Sequence, residues 1–426
     1  MKVILVNKFH YRKGGSETYY FDVAEGLKRL GHEVHFFAME GSDNEPCEDA
    51  DLFVSAKDYN GPSGIAQKVS AATSLIYSKE AKRKFQELCE RVRPDVVHMN
   101  LVHRQITLSI LDAPYIKQHK VPVVFTSHDY ILVCPSYVML DGRGEVCDAC
   151  LGGRFLSCLK RKCVKGSTAK SGMAFAEAEF LKLTGMYRRI DKIIAPSEFM
   201  RDKLVEGGFP PERIVHMQNF AKDEVLESAR DSQDRTDWGN PYLLFFGRLS
   251  KEKGIDVLVE AASALPDGWR LVVAGDGPDR EALGQAAGES PVSDRIEFIG
   301  FKLGDELKHL VSGAAFSVAS ARWRENMPYS IVESMAYGTP VVGTRIGGIP
   351  ELVSEGQTGF LAEPGDAASL VDAIARAART ARDHAAYEKM RTACREYVLS
   401  RCDQSRYMEE LTALYEALIN KKKETC

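Results

Sequence analysis

The sequence predicts an α/β protein of two domains, each a parallel sheet flanked by helices, on three observations. Its 426 residues exceed what one hydrophobic core commonly holds. Short apolar runs alternate with amphipathic stretches from the first residues on, the strand–helix–strand order of a βαβ sheet. After a charged, polar stretch from Ala221 to Asn240 the same alternation starts afresh at Tyr242. The composition, 44% apolar and 27% charged, is that of an ordinary globular protein. No apolar run approaches the ~18 residues of a membrane span. The opening MKVILVNKF holds only four consecutive apolar residues, Val3–Val6, which suits a first strand and not a signal peptide. A cytoplasmic location is therefore expected.

Strand Val3–Val6 leads through the loop Asn7–Gly15 into a helix from Ser16 to about Leu30. Ser16 is its expected cap, and Tyr20, Val23, Ala24 and Leu27 form its apolar face. The pair Gly14-Gly15 would let a backbone come close to a ligand, although alone it reads equally as a tight turn. Gly31-His32-Glu33 turns into strand Val34–Ala38. A polar loop and a long helix, Ile65 to Val92, precede strands opening at Pro94 and at Val121. The latter strand runs into Ser127-His128-Asp129-Tyr130. A histidine just past a strand of a parallel sheet stands at the carboxyl edge, where ligands bind in open α/β folds. A histidine satisfied by local hydrogen bonds is the other reading. Helix Ala174–Ile190, strand Lys192–Ala195, a helix capped by Ser197 and strand Ile214–Asn219 complete this half.

Between His128 and the helix at Ala174, five cysteines follow as C-x12-C-x2-C-x7-C-x4-C: Cys134, Cys147, Cys150, Cys158 and Cys163. Cys147 and Cys150 have zinc-knuckle spacing. The glycine-rich segment Gly142–Gly153 has little apolar material to order it, so a structural zinc on Cys134, Cys147, Cys150 and Cys163 is one expectation. Reduced thiols and a redox pair are the others. Cys158 lies inside the apolar run FLSCL and is expected in the core. Four thiolates would leave no open position for chemistry. No acid occurs from Leu151 to Ala176, where Arg154, Lys160, Arg161, Lys162, Lys165 and Lys170 do. Such a patch attracts phosphates, lipid headgroups or nucleic acid, or is a solvated loop face. The charge is uneven overall: residues 1–220 carry a net +4 and residues 221–426 a net −8.

The second half opens with strand Tyr242–Phe246 and the loop Gly247-Arg248-Leu249-Ser250-Lys251-Glu252-Lys253-Gly254, followed by a helix from Ile255 to about Leu265. Arg248 and Lys253, fixed in one strand-to-helix loop, can hold a diphosphate, the guanidinium forking across two oxygens. Strand Arg270–Ala274 ends in Gly275-Asp276-Gly277-Pro278, and strands Ile296–Gly300 and Phe316–Ala319 follow. Next comes RWRENMPYSIVESMAYGTP, Arg322 to Pro340, with two acids, Glu325 and Glu333, eight residues apart. Helical spacing starts at Ser330, with Ile331, Met335 and Ala336 on one face, and Pro328 suits the first turn. Glu325 is thus expected in a loop and Glu333 one turn into a helix whose N-terminus, at Tyr329 and Ser330, is an anion site. Gly338-Thr339-Pro340 stops that helix before strand Val341–Gly343. The helices from Ala367 finish the chain.

Several of these elements together resemble the family-4 retaining nucleotide-sugar glycosyltransferases, the group 1 glycosyl transferases. The resemblance rests on Gly14-Gly15-x-Glu17, the strand-end His128, Asn219, the GR-x4-KG element of Arg248 and Lys253, Gly275 to Pro278, the Glu325–Glu333 spacing and Gly347 to Glu351. Met327 and Pro328 replace the usual Phe-Gly pair of the acid motif, and Pro328 offers no N–H there. The resemblance implies the GT-B fold, two Rossmann-like doubly wound domains facing a cleft. It divides the chain into an acceptor-side domain at 1–220 with the cysteine insert at about 134–166, a nucleotide-sugar domain at 221–400, and a final helix, 401–426, returning to the first domain.

It further implies a donor that is a UDP- or GDP-sugar, a glycan or lipid-linked acceptor, and a role in surface polysaccharide or glycoconjugate synthesis. His128, Arg248, Lys253 and Glu325 take the catalytic positions. Gly14, Gly15, Asn219, Gly275, Tyr329, Ser330 and Glu333 take donor-binding ones. No cofactor would be needed for catalysis, and no nucleic acid partner is implied. The basic patch would place the protein at the inner membrane face. The competing readings are a GT-B nucleotide-sugar epimerase and a non-catalytic scaffold that binds anions or membranes through the basic insert.

Overall fold

The computed structural model describes residues 1–56, 73–230 and 240–424. They hold two six-stranded parallel sheets. The chain divides into two compact units, Met1–Met217 with Ser405–Cys426, and Gln218–Gln404. The α/β architecture read from alternating apolar runs is the one observed; eleven of the twelve strands fall where a strand was expected, and the twelfth, Gly359–Ala362, does not.

In the first unit, β1 (Lys2–Val6), β2 (Glu33–Phe37), β3 (Val96–Met99), β4 (Val123–Thr126), β5 (Lys192–Ala195) and β6 (Ile214–His216) stand in the order β2-β1-β3-β4-β5-β6. Order reverses at β1, where Val6 pairs with Phe37 on one side and Met99 on the other. The loops leaving β1 and β3 therefore diverge at a topological switch point, the crevice where open α/β sheets bind ligands. The strands are largely apolar, with polar residues such as Glu33, His98, Thr126 and Lys192 among them. Ile4, Val97, Phe125 and Ile193 are buried with Phe37 and Phe85 in one core.

The second unit repeats the plan with β7 (Tyr242–Phe246), β8 (Arg270–Ala274), β9 (Ile296–Gly300), β10 (Phe316–Ala319), β11 (Val341–Thr344) and β12 (Gly359–Ala362), ordered β12-β11-β10-β7-β8-β9. Its switch point lies between β7 and β10, so the loops Gly247–Gly254 and Ser320–Pro328 flank that crevice. Leu243, Val273, Phe316, Val342 and Phe360 centre its core.

Several boundaries differ from the sequence reading. The first helix spans Gly15–Arg29 with extended Gly14 as its cap. Ser16 lies inside the helix, and its hydroxyl donates to Glu17 Oε2 at 3.0 Å instead of capping. The long helix expected from Ile65 is interrupted at Tyr77-Ser78. Its main part runs Lys79–Val92, because the Ser78 hydroxyl accepts the Ala81 N–H and starts a helix there. The expected portion before Thr73 and residues 231–239 of the polar stretch fall outside the described residues. The helix expected from Ala174 begins already at Thr168, capped by Ser167. β6 stops at His216. The helix Tyr329–Ala336 has Pro328 as its cap residue, one position ahead of the expected first turn.

The last helix, Gln404–Glu424, belongs to the first unit from Ser405 on. Tyr407, Met408, Leu411 and Tyr415 are buried there, and Met408 packs where Gly26 has no side chain. Among the described residues, no helix is long and apolar enough to cross a membrane.

Candidate functional site

In the second unit, the two switch-point loops bring Lys253 and Glu325 together. Lys253 Nζ donates to Glu325 Oε1 at 2.5 Å, and the indole N–H of Trp323 donates to the same oxygen at 2.7 Å. The lysine also sits over the Trp323 ring, 5.7 Å from its centre. Backbone close approaches hold the pair in place. Gly254 adopts φ 68, and a Cβ there would stand 2.1 Å from the Ser320 carbonyl. Gly347, at φ 60, lies equally close against the Glu325 carbonyl, which accepts the Gly348 N–H at 2.7 Å. Glycine is required at both positions because a side chain would collide with backbone and the left-handed conformation disfavours other residues. Glu325 is 7% exposed, so its charge is offset by Lys253 and the indole and not by water.

Arg248 is exposed in the same loop and makes no ion pair among the described residues. Gly275 abuts the Gly247 carbonyl, where a Cβ would come within 1.9 Å, so β8 can end this close to the Arg248 loop. Tyr329 and Ser330 open the helix Tyr329–Ala336, whose first turn carries no acid, leaving the positive dipole end for an external anion. Glu333 is half-buried one turn further on. Asn219 is 5% exposed and grips the acid loop. Its backbone N–H meets Met327 Sδ, and its Nδ2 donates to the Met327 carbonyl, both at 3.0 Å. Asn219 thus orders the chain between the two acids, a role its position in the sequence does not reveal.

In the first unit, His128 stands just past β4, with Asn100 Oδ1 2.9 Å from its Nε2 and the Tyr19 ring edge-on at 4.9 Å. Burial holds its pKa at about 3, so the ring is neutral at physiological pH. Behind it runs a buried polar chain. The Tyr407 and Tyr19 hydroxyls are 2.7 Å apart, and Tyr19 is 3.0 Å from Thr126 Oγ1. Thr126 is 2.7 Å from His98 Nε2, and His98 Nδ1 is 2.5 Å from the Tyr415 hydroxyl. Both ends of the chain come from the final helix. Gly14 and Gly15 are exposed at the start of the first helix, next to Glu17, which is buried and whose carboxyl is raised by that burial. Asp129, beside His128, is pushed up to about 6 by burial.

The cysteines of the insert gather loosely. Cys150 and Cys158 are buried with Phe155, Ala174 and Ala178, and Cys163 packs against them, which puts Cys158 in a core as its apolar run suggests. Cys147 Sγ accepts the Ala149 N–H at 3.5 Å, and Cys134 Sγ lies 3.2 Å from Ser136 Oγ. The Cys150 thiol is pushed up to about 12 by burial and by Cys134, Cys163 and Cys147 around it. Among the described residues, no group of three or more His, Cys, Asp or Glu side chains stands in position to hold a metal ion.

Both halves of the chain are similar to known proteins. The model of the glycosyl transferases group 1 family matches residues 229–398, and that of Glycosyltransferase Family 4 matches residues 13–224. The chain belongs to the GT4-type group 1 glycosyltransferases. The Salmonella typhimurium (strain LT2) protein named as the colanic acid biosynthesis glycosyltransferase WcaL is 29% identical over 55% of this chain and 58% of its own length. The α-D-kanosaminyltransferase of Streptomyces kanamyceticus is 28% identical over 44% of this chain and 51% of its own. The match thus spans little more than half the length of these relatives. The crystal structure of Anabaena Alr3699/HepE in complex with UDP and glucose superimposes with a TM-score of 0.66 at 17% identity, covering 98% of this chain and 100% of that one. The family's GT-B fold is therefore the fold of this chain.

Sequence reading located Lys253 and Glu325 but missed Trp323, Asn100 and Tyr19. Trp323 stands two residues before the acid inside the motif, and Asn100 just past β3, and those positions were the available signals. Nothing local in the sequence marks Tyr19 as the neighbour of His128.

Proposed function

We propose that the chain is a retaining glycosyltransferase that moves a sugar from a UDP- or GDP-sugar to a glycan or lipid-linked acceptor in surface polysaccharide or glycoconjugate synthesis. The observation that carries this is the Lys253–Glu325 pair at the switch point, with Arg248, which makes no ion pair among the described residues, in the same loop as Lys253 and a helix N-terminus after Glu325. Cleaving the anomeric C–O bond places negative charge on the leaving diphosphate. Arg248, Lys253 and the N–H groups at Tyr329 and Ser330 stabilise it, the kind of preorganised charge that usually dominates catalysis.

Glu333 accepts the ribose hydroxyls, and Glu325, oriented by Trp323, meets sugar hydroxyls near the reacting carbon. Asn219 and Gly275 shape the donor loops. Gly14 and Gly15 admit the phosphates or the acceptor, and neutral His128 binds the donor sugar or positions the acceptor. In this reading the acceptor attacks from the leaving-group face within a short-lived ion pair, the route proposed for the family, and no residue is assigned as a covalent nucleophile. Donor chemistry needs no cofactor in this reading. The protein works in the cytoplasm, peripheral to the inner membrane face. A structural zinc on Cys134, Cys147, Cys150 and Cys163 remains part of the proposal and would require the thiols to draw together. One zinc per purified chain supports it, and none removes it.

The relative solved with UDP and glucose supports a nucleotide-sugar donor by likeness of fold. The test is a thermal-shift and turnover screen against UDP-, GDP- and ADP-sugars. Stabilisation by one donor with slow hydrolysis, and retention of the anomeric configuration in the product, are the expected results. No stabilisation by any donor would overturn the reading, and donor isomers released without an acceptor would replace it with an epimerase.

A further inference from the structure

The insert that follows His128 carries a second concentration of positive charge, apart from the residues assigned to the donor. Arg143, Lys160, Arg161 and Lys162 line a cavity of about 630 Å³, with Asp141 and Gly142 at its wall. That volume suits a small ligand. Asp141 is the acid among these six, and its carboxylate is already engaged. It accepts the backbone N–H groups of Arg143 at 2.8 Å and Glu145 at 3.2 Å, and meets Arg161 at 3.5 Å. Lys160 and Lys162 make no ion pair among the described residues. Cations outnumber acids four to one around this space, and their mutual repulsion is relieved by an anion within it.

The cations are also held in a fixed frame. Lys162 and Lys165 adopt φ 51 and φ 53, a left-handed conformation that is unfavourable for non-glycine residues. Packing over-determines this turn. The Gly142 N–H donates to the Arg161 carbonyl at 3.1 Å, and a Cβ at Gly142 would stand 2.2 Å from that oxygen. On the other side, the Cys163 N–H donates to the carbonyl of fully buried Cys158 at 3.2 Å. Strain kept in place by such packing clusters at ligand sites, and cations ordered in advance lose little entropy on binding. Two guanidinium forks with two ammonium groups match the oxygens of a phosphate better than a single carboxylate.

We propose that this basic cavity binds a phosphate or diphosphate group, presented either by a lipid headgroup or by a free phosphoester. The test uses the full chain saturated with UDP, so that the donor loops are filled. One arm titrates inorganic pyrophosphate calorimetrically; the other measures co-sedimentation with phosphatidylglycerol and with phosphatidylcholine vesicles. Each is repeated with Lys160→Gln/Lys162→Gln and with the charge-matched Lys165→Gln/Lys170→Gln, whose side chains do not line the cavity. The expected result is at least a tenfold loss of binding in the first variant and little change in the second. Pyrophosphate binding identifies a free phosphoester, and binding to phosphatidylglycerol vesicles alone identifies a headgroup. Equal losses in both variants, or no binding in either arm, overturn the proposal. The thermal shift by the donor in each variant stays at its wild-type size, so failure here is separable from failure of the transferase reading.

Discussion

At the scale of single residues, the site depends on one oxygen. Glu325 Oε1 receives both Lys253 Nζ and the Trp323 indole N–H, so removing either partner tests a different function. Lys253→Ala removes a cation assigned to the leaving diphosphate and also leaves Glu325 short of its counter-charge. A fall in kcat of about 10²- to 10³-fold is expected, the scale of losing one preorganised group. Steady-state kinetics with the matched donor, beside an unchanged circular dichroism spectrum, checks it. Trp323→Phe keeps an aromatic ring and deletes the N–H together with the five-membered part of the indole. It should lower kcat by about tenfold, the equivalent of one hydrogen bond of about 1.4 kcal/mol to a charged group, and leave donor affinity near its wild-type value. A change confined to affinity would mean that the indole serves binding and not the placement of Glu325.

At the scale of elements, the final helix is more than a cap on the first unit. Its Tyr407 and Tyr415 close both ends of a hydrogen-bonded chain through Tyr19, Thr126 and His98, directly behind His128. Tyr407→Phe should cost about 1 kcal/mol of stability, because the buried Tyr19 hydroxyl loses one of its partners. Tyr407→Phe/Tyr415→Phe should cost less than the sum of the two single changes, because both act on one network. Denaturant melts of the three variants decide this; strict additivity would show that the two ends are independent.

The same helix shows what was legible in the sequence and what was not. Its return to the first unit was implied by the family resemblance, and the apolar runs that became eleven of the twelve strands were plain, because burial on both faces favours apolar residues. The loop cations Arg248 and Lys253 and the acid Glu325 were also readable, since each lies at a fixed offset from a strand. By contrast, the Tyr19–Tyr407 contact joins positions 388 residues apart, and local pattern carries no information about such a pairing. The grip of Asn219 on Met327 is hidden for the same reason. Ser16 misled because a serine beside a helix start is normally its cap. Here Gly14, in extended backbone, already ends the loop, and Glu17 takes the hydroxyl.

At the scale of the whole molecule, the two units differ in how they answer to acid. His98, His103 and His128 are each held near pKa 3, and His10 near 4, by burial, and all four lie in Met1–Met217. A histidine whose folded pKa is depressed is neutral when native and protonates more readily when unfolded. Its contribution is therefore intact above the unfolded value of about 6.5 and is lost as pH falls from there towards 3. Each such group removes up to about 1.4 kcal/mol per pH unit in that window, and Asp129, raised to about 6 by burial, returns part of this below pH 6. The two tryptophans among the described residues, Trp269 and Trp323, lie in Gln218–Gln404 and none lies in the first unit, so their fluorescence reports the second unit and far-UV circular dichroism reports both. Between pH 7 and pH 4.5, the dichroism melt should therefore move to lower temperature well ahead of the fluorescence melt. His98→Gln, which has no proton to gain, should flatten part of the dichroism slope. If both signals fell together, the units would be unfolding as one cooperative body, and the buried histidines would be setting the acid stability of the entire chain.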